Sequence, residues 1–201
     1  MAGVCLVLGV LLGYIFRDSR PPDRTQKAQP AIATPTAATA GHIPTLDQMQ
    51  HMAEKQAAPV FEAIKKDPGN SRLWNQLGTI YKTAHQFKEA AGYYEKALQF
   101  DPKNVAARTD LASCLYYQGD VDGALRELHQ SLQYAPKDAN SLFNLGMIRW
   151  QAKQDAQGAK AAWEQLLTSN PELPAVQRAE VEKLIAQVTQ HSAANQLPVT
   201  K

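Results

Sequence analysis

The sequence predicts an all-α solenoid of stacked helix–turn–helix repeats, and three observations carry that prediction. Pro68, Pro102, Pro136 and Pro171 recur at spacings of 34, 34 and 35 residues. The segments between them repeat one apolar pattern. Each segment shows it twice, at the three-and-four spacing that places side chains on one face of a helix. A 34-residue period of this kind marks an array in which each unit buries its apolar face only against its neighbours.

The elements follow in chain order. Thr45 and Gln48 make a capping box that opens a helix. Counting back from Pro68, Val60 and Ala63 fall where the second helix of a repeat buries its side chains, so 45–70 reads as a helical half-repeat sealing the front of the array. Pro59 lies inside it, and at about 3 kcal/mol for a proline in a helix interior a kink or a break is expected there. The first full unit is 71–104. Trp74, Leu77 and Tyr81 form a stripe on its first helix, and Ala90, Tyr94 and Ala97 form one on its second. Gly78, Ala90 and Ala97 are small where the helices approach, and Pro102 stops the second helix.

The second unit, 105–138, keeps register through Leu111, Ala112, Leu115, Ala124, Leu128, Ser131 and Pro136, with Arg108 in place of the tryptophan. The third, 139–173, has Leu142, Leu145 and Gly146 in place. Its second helix aligns through Ala159, Trp163, Leu166 and Pro171 after a one-residue insertion assigned to the turn. Arg149 replaces an aromatic and Leu166 replaces a small residue, so looser packing is expected in this unit. Val181, Leu184, Ile185 and Val188 then follow the i, i+3, i+4, i+7 pattern of a capping helix within 174–191, ahead of a disordered tail at 192–201.

Two segments precede the array. Residues 1–16 include the uncharged stretch 2–16, and 17–44 are rich in Pro, Ala and Thr without apolar periodicity, the composition of a disordered tether. Fifteen apolar residues are short for a membrane span and match the core of a signal peptide. A signal peptide starts with positive charge, however, and the nearest Ala-x-Ala, Ala38–Ala40, is far downstream of Phe16. The expectation is an uncleaved membrane anchor, and the missing basic start suggests a start codon upstream of Met1. Arg17, Arg20, Arg24 and Lys27 put the repeats in the cytoplasm by the positive-inside rule, which a lost basic start would reverse. The tether composition favours an extracytoplasmic domain, and that is the expectation. Cys5, Gly9 and Gly13 make a small-residue face that pairs two anchors in one reading and is ordinary membrane-helix glycine in the other.

Charge and composition narrow the function. Taking Arg17, Asp18, Arg20, Asp23, Arg24 and Lys27 from the chain's 21 basic and 19 acidic residues leaves 17 of each, a neutral domain without the basic surface that nucleic acid demands. His42, His51, His85, His129 and His191 stand singly, away from metal-ligand spacing, and His85 falls in a turn. No phosphate loop, nucleophile elbow or Cys-x-x-Cys-His occurs in the sequence. Cys5 and Cys114 lie in different segments, so no disulfide forms inside the repeats. The chain is expected to bind protein, with no cofactor and no catalytic or metal site.

Trp74, Leu77, Gly78 and Tyr81, followed by Ala90, Tyr94, Ala97 and Pro102, resemble the tetratricopeptide repeat (TPR) family. That resemblance implies a right-handed solenoid whose concave groove is lined by the second, fifth, ninth, twelfth and thirteenth residue of each repeat. The groove positions of the first repeat are Arg72, Asn75, Thr79, Lys82 and Thr83. The second repeat offers Ala106, Thr109, Ser113, Tyr116 and Tyr117, and the third Asn140, Phe143, Met147, Trp150 and Gln151. The groove runs from polar and basic to aromatic. Tyr116, Tyr117, Phe143, Met147 and Trp150 read either as a patch for a partner's side chains or, for Phe143 and Trp150, as packing on the capping helix in space left by Arg149. Arg72 and Lys82 are positioned for a carboxylate. The clamp by which chaperone-binding TPR domains hold a C-terminal carboxylate maps onto Asn75, Thr79, Asp110, Asn140 and Asn144, and Asp110 would repel such a ligand.

The layout is similar to anchored bacterial TPR proteins. The stretch from Ala159, Trp163, Leu166 and Leu167 through the Val181–Val188 helix is similar to TPR subunits of c-type cytochrome maturation. This implies a scaffold at the bacterial inner membrane that presents an apocytochrome segment to a haem-attaching enzyme. The other reading is a structural, self-associating subunit of a larger envelope complex.

Overall fold

A computed structural model describes residues 44–194 as eight α-helices: α1 Leu46–Lys66, α2 Ser71–Thr83, α3 Phe87–Phe100, α4 Val105–Tyr117, α5 Val121–Tyr134, α6 Ala139–Lys153, α7 Ala156–Ser169 and α8 Ala175–Ala194. The membrane-anchor stretch, the linker up to 43, the Cys5–Gly9–Gly13 face and residues 195–201 of the expected tail lie outside the described residues, whereas residues 192–194, expected as the start of that tail, continue α8. Among the described residues no helix is long and apolar enough to cross a membrane.

Side-chain caps recur with the sequence period. Asn70 accepts from the Arg72 N–H, Asn104 from Ala107 and Asp138 from Ser141, each satisfying an N–H that the new helix leaves orphaned. At the front, Thr45 Oγ1 accepts from Gln48 N at 3.3 Å and Gln48 Oε1 accepts from Thr45 N at 2.8 Å. The expected break at Pro59 does not occur, because α1 runs through it. Pro59 and Lys55, whose carbonyl loses its i+4 donor, are both exposed, so that carbonyl faces water.

Within a pair, the helices meet where glycine faces an aromatic ring. A Cβ on Gly78 would lie 2.6 Å from Tyr94 Cε1, and one on Gly146 would lie 2.2 Å from Trp163 Nε1. Tyr94 and Trp163 are fully buried against these glycines. The second pair uses Ala112 and Leu128 at the same positions, also fully buried.

Each proline turn is clasped by a donor from a later helix. Pro68 C=O accepts from Trp74 Nε1 at 2.8 Å, and Pro102 C=O accepts from Arg108 Nη2 at 2.7 Å. Pro136 C=O takes its bond from Gln165 Nε2 at 3.1 Å, and Pro171 C=O from Arg178 Nη2 at 3.1 Å. Arg108 is 6% exposed. Its Nη1 also binds Glu127 and Gln130, and its guanidinium lies 5.7 Å from the Tyr134 ring.

The third repeat departs from expectation in two ways. The extra residue does not sit in the turn: α6 is two residues longer than α2 and α4, and only Gln154 and Asp155 separate it from α7. Gln154 carries the left-handed conformation (φ 53°) that His85 (59°) and Gly119 (88°) carry in the other turns. The packing is also tight. Trp163 is fully buried and Leu166 is 2% exposed, because Val181 and Val188 of α8 close over them. Arg149 leaves no gap, since its Nη1 reaches Gly158 C=O at 3.4 Å.

Candidate functional site: the wall of first helices

Side-chain bonds tie α2 to α4 and α4 to α6, so the first helices of the pairs lie side by side as one wall. Lys82 Nζ pairs with Asp110. Asn144 Nδ2 donates to Ser113 Oγ at 3.2 Å, and Tyr116 OH donates to Gln151 Oε1 at 3.0 Å. All these residues fall on one face by helical spacing. In a solenoid of stacked pairs such a wall forms the concave side.

Beneath the wall the floor is polar and close-fitted. Tyr94 OH donates to Thr79 Oγ1 at 3.2 Å, and Thr79 Oγ1 donates to Asn75 C=O at 3.1 Å. Burial, and next the Asp110 carboxylate, push the Tyr94 phenol well above its ordinary range, so it stays a proton donor. Asn75 Oδ1 is buried and, among the described residues, accepts no hydrogen bond. An acceptor of this kind costs about 1–3 kcal/mol until a donor reaches it.

Twelve of the fifteen groove positions fall into five groups, with Thr109 alone in the last. Arg72 and Asn140 are exposed. Asn75, Thr79, Lys82, Ser113 and Tyr116 belong to the bonded wall. Burial, and next the Tyr117 ring, raise the Tyr116 phenol above its usual value. Tyr117 sits at the wall's edge, 60% exposed, stacked on Phe87 of the neighbouring second helix at 4.4 Å. Phe143, Met147 and Trp150 are half-buried and, like Leu184 and Ile185 of α8, pack against the buried cluster that includes Val181 and Val188 of α8, and Trp150 meets the His191 ring edge-on at 5.0 Å. Of the two readings of the aromatic end, the structure favours packing on the capping helix, although Arg149 fills its own space.

Thr109 is not a groove residue. It is 4% exposed, and its Oγ1 lies 2.7 Å from Ser141 Oγ and 3.2 Å from Ser131 Oγ. Ser131 and Ser141 close the triangle at 2.8 Å, and Ser141 Oγ donates to Asp138 Oδ2 at 2.7 Å. Position counting missed this because the two serines come from other helices. Asp110 also differs from expectation: Lys82 offsets its charge, so it does not stand as a bare repulsive carboxylate. Among the described residues no three His, Cys, Asp or Glu side chains converge as a metal site. Cys114 is fully buried, and burial pushes its thiol up to about 12.

Helix pairs stacked at a 34-residue period, with a side-chain wall along the first helices, define a TPR solenoid. The chain belongs to the family described as the cytochrome c-type biogenesis protein H TPR domain, whose model matches residues 47–175. The match covers all three repeats, whereas the likeness to c-type cytochrome maturation subunits rests on the stretch from Ala159 to Val188. Anaphase-promoting complex subunit 3 from Schizosaccharomyces pombe is 38% identical over 86 residues, 43% of this chain and 13% of that protein. Type IV pilus assembly protein PilF from Pseudomonas aeruginosa is 29% identical over 125 residues, 61% of this chain and 49% of that protein. The chain therefore spans half or less of the length of these relatives. A solved structure of PilF superposes with a TM-score of 0.61 at 23% identity, over 72% of this chain and 64% of the other. The first TPR of Spaghetti (RPAP3), solved with an HSP90 peptide, superposes with a TM-score of 0.56 at 20% identity, over 62% and 94%. At these identities the structural likeness is one of fold.

Proposed function

We propose that this protein is a non-enzymatic adaptor that holds a segment of a partner on its first-helix wall during c-type cytochrome assembly. The observation that carries the reading is Asn75: a buried acceptor in the wall, beside rigidly paired neighbours, suited to a backbone N–H of an extended chain. The peptide in the RPAP3 structure and the family's description support the same reading. The partner proposed is an apocytochrome segment around Cys-x-x-Cys-His, because the family is named for that assembly.

The uncharged stretch 2–16 supports a single-pass tether in the bacterial inner membrane, and the Pro/Ala/Thr-rich tether at 17–44 supports repeats on the extracytoplasmic side. Pairing of two anchors through Cys5, Gly9 and Gly13 is part of this proposal. The test is fluorescence anisotropy with the full chain in detergent and a labelled peptide carrying Cys-x-x-Cys-His. Binding is expected, weakened about tenfold by Asn75→Ala, the value of one to one and a half kcal/mol for one hydrogen bond. Equal binding by wild type and Asn75→Ala would overturn the groove reading.

A further inference from the structure

On the side away from the wall, α3 and α5 flank a cleft of about 420 Å³. Its apolar lining comes from Leu98, Leu111 and Leu115, with Arg108 beside them. That volume falls at the small end of ligand pockets, about 300–1,000 Å³, and suits a few residues of an extended chain. Arg108 is held from several sides at once: Pro102 C=O and Gln130 take its terminal N–H groups, Glu127 neutralises it and Tyr134 lies against it. Its Nε–H is buried and, among the described residues, meets no acceptor. The result is a rigid donor beside an apolar lining.

Glu95 on α3 and Arg126 on α5 also line this cleft, both are exposed, and neither forms an ion pair among the described residues. The two walls thus present Glu95 and Arg126, opposite in charge, across one apolar strip; Asp122 acts on Arg126 from the same helix, and Asp120, also in the lining, caps the Gly123 N–H.

We propose that this cleft is a second protein-binding site, separate from the wall. Its occupant is an extended segment of a partner protein, with one leucine-sized side chain on Leu98, Leu111 and Leu115 and a backbone carbonyl on Arg108 Nε. A basic residue of that segment faces Glu95 and an acidic one faces Arg126. The occupant is therefore of mixed charge around an apolar centre.

The test uses the full chain in detergent and three capped nonapeptides with Ser-Gly flanks, centred on Lys-Leu-Glu, Lys-Leu-Lys and Glu-Leu-Glu. Wild type is expected to bind the mixed peptide at least fivefold more tightly than either other peptide. Glu95→Lys shifts the preference to Glu-Leu-Glu, and Arg126→Glu shifts it to Lys-Leu-Lys. Both positions are exposed, so circular dichroism should report unchanged helix content. Asn75→Ala on the opposite wall should leave all three affinities unchanged, which separates this site from the proposed function. In a ¹⁵N spectrum the Arg108 Nε–H resonance should move on saturation with the mixed peptide. Absence of binding at millimolar peptide, equal binding of the three peptides, or affinities indifferent to both charge reversals would each overturn the proposal.

Discussion

Around the first repeat, Phe61, Trp74 and Tyr81 gather on Tyr93 with ring centroids 6.0, 6.4 and 5.0 Å away. Burial, with Tyr81 next, pushes the Tyr93 phenol up to about 12, as an apolar setting requires. The second repeat and its junction with the third instead enclose Arg108, Thr109, Ser131 and Ser141, all polar and all buried. Ring contacts are broad in angle and keep much of their worth when helices slide. Buried hydrogen bonds fail when one atom is misplaced, and a failed one costs more than a made one gains. The aromatic region therefore contributes mainly apolar burial, and the polar region fixes how the second pair meets the third.

The sharpest way to break this contrast is Arg108→Ala, expected to cost about 3–4 kcal/mol by urea unfolding because it strips Glu127 and Pro102 C=O of their partner. Arg108→Trp should recover at least half of that loss, since an indole N–H reaches the equivalent carbonyl from Trp74. Failure of tryptophan to do better than alanine would show that charge, not the donor, matters there. Gly146→Ala places a methyl group against the Trp163 indole and should cost about 2 kcal/mol, measured the same way. Ser131→Ala and Thr109→Val should each cost about 1 kcal/mol, with the double variant losing clearly less than the sum of the two. Strict additivity would mean that the hydroxyl triangle does not act as a unit.

The smallest effect concerns pH. Partial burial, with Arg149 next, holds His129 below its ordinary 6.5. The folded state thus prefers the neutral ring, and stability should decline slightly as pH falls through 6.5. His129→Gln should flatten that part of the stability curve and leave the value at pH 8 unchanged.

Much of this was legible in the chain itself. The prolines, Gly78 with Tyr94 and Gly146 with Trp163 announce the helix pairs, because helix entry, exit and close approach each demand a residue type locally. Asn70, Asn104 and Asp138 cap three helix starts in the structure, a local signal that the repeat pattern alone does not use. Thr109 was misassigned because counting along one helix gives a face, while burial depends on Ser131 and Ser141 from two others. Trp150 divided between groove and core because the reach of α8 to His191 is a tertiary fact. The extra residue of the third repeat lies in α6 rather than in the turn, a distinction that a period, which reports only total length, does not carry.

The proline clasps bear on how such repeats drift. A tryptophan, a glutamine and two arginines (Trp74, Gln165, Arg108 and Arg178) fill this role, and each brings an N–H to the equivalent backbone oxygen. What the four turns have in common is a donor within reach of the carbonyl, and for Pro136 it comes from Gln165 on the second helix of the pair rather than the first. A motif spelled in letters treats the second and third repeats as decayed copies of the first. Spelled as donors and acceptors, the four turns are alike, and related arrays too degenerate for letter matching become recognisable by whether each turn carbonyl has its N–H.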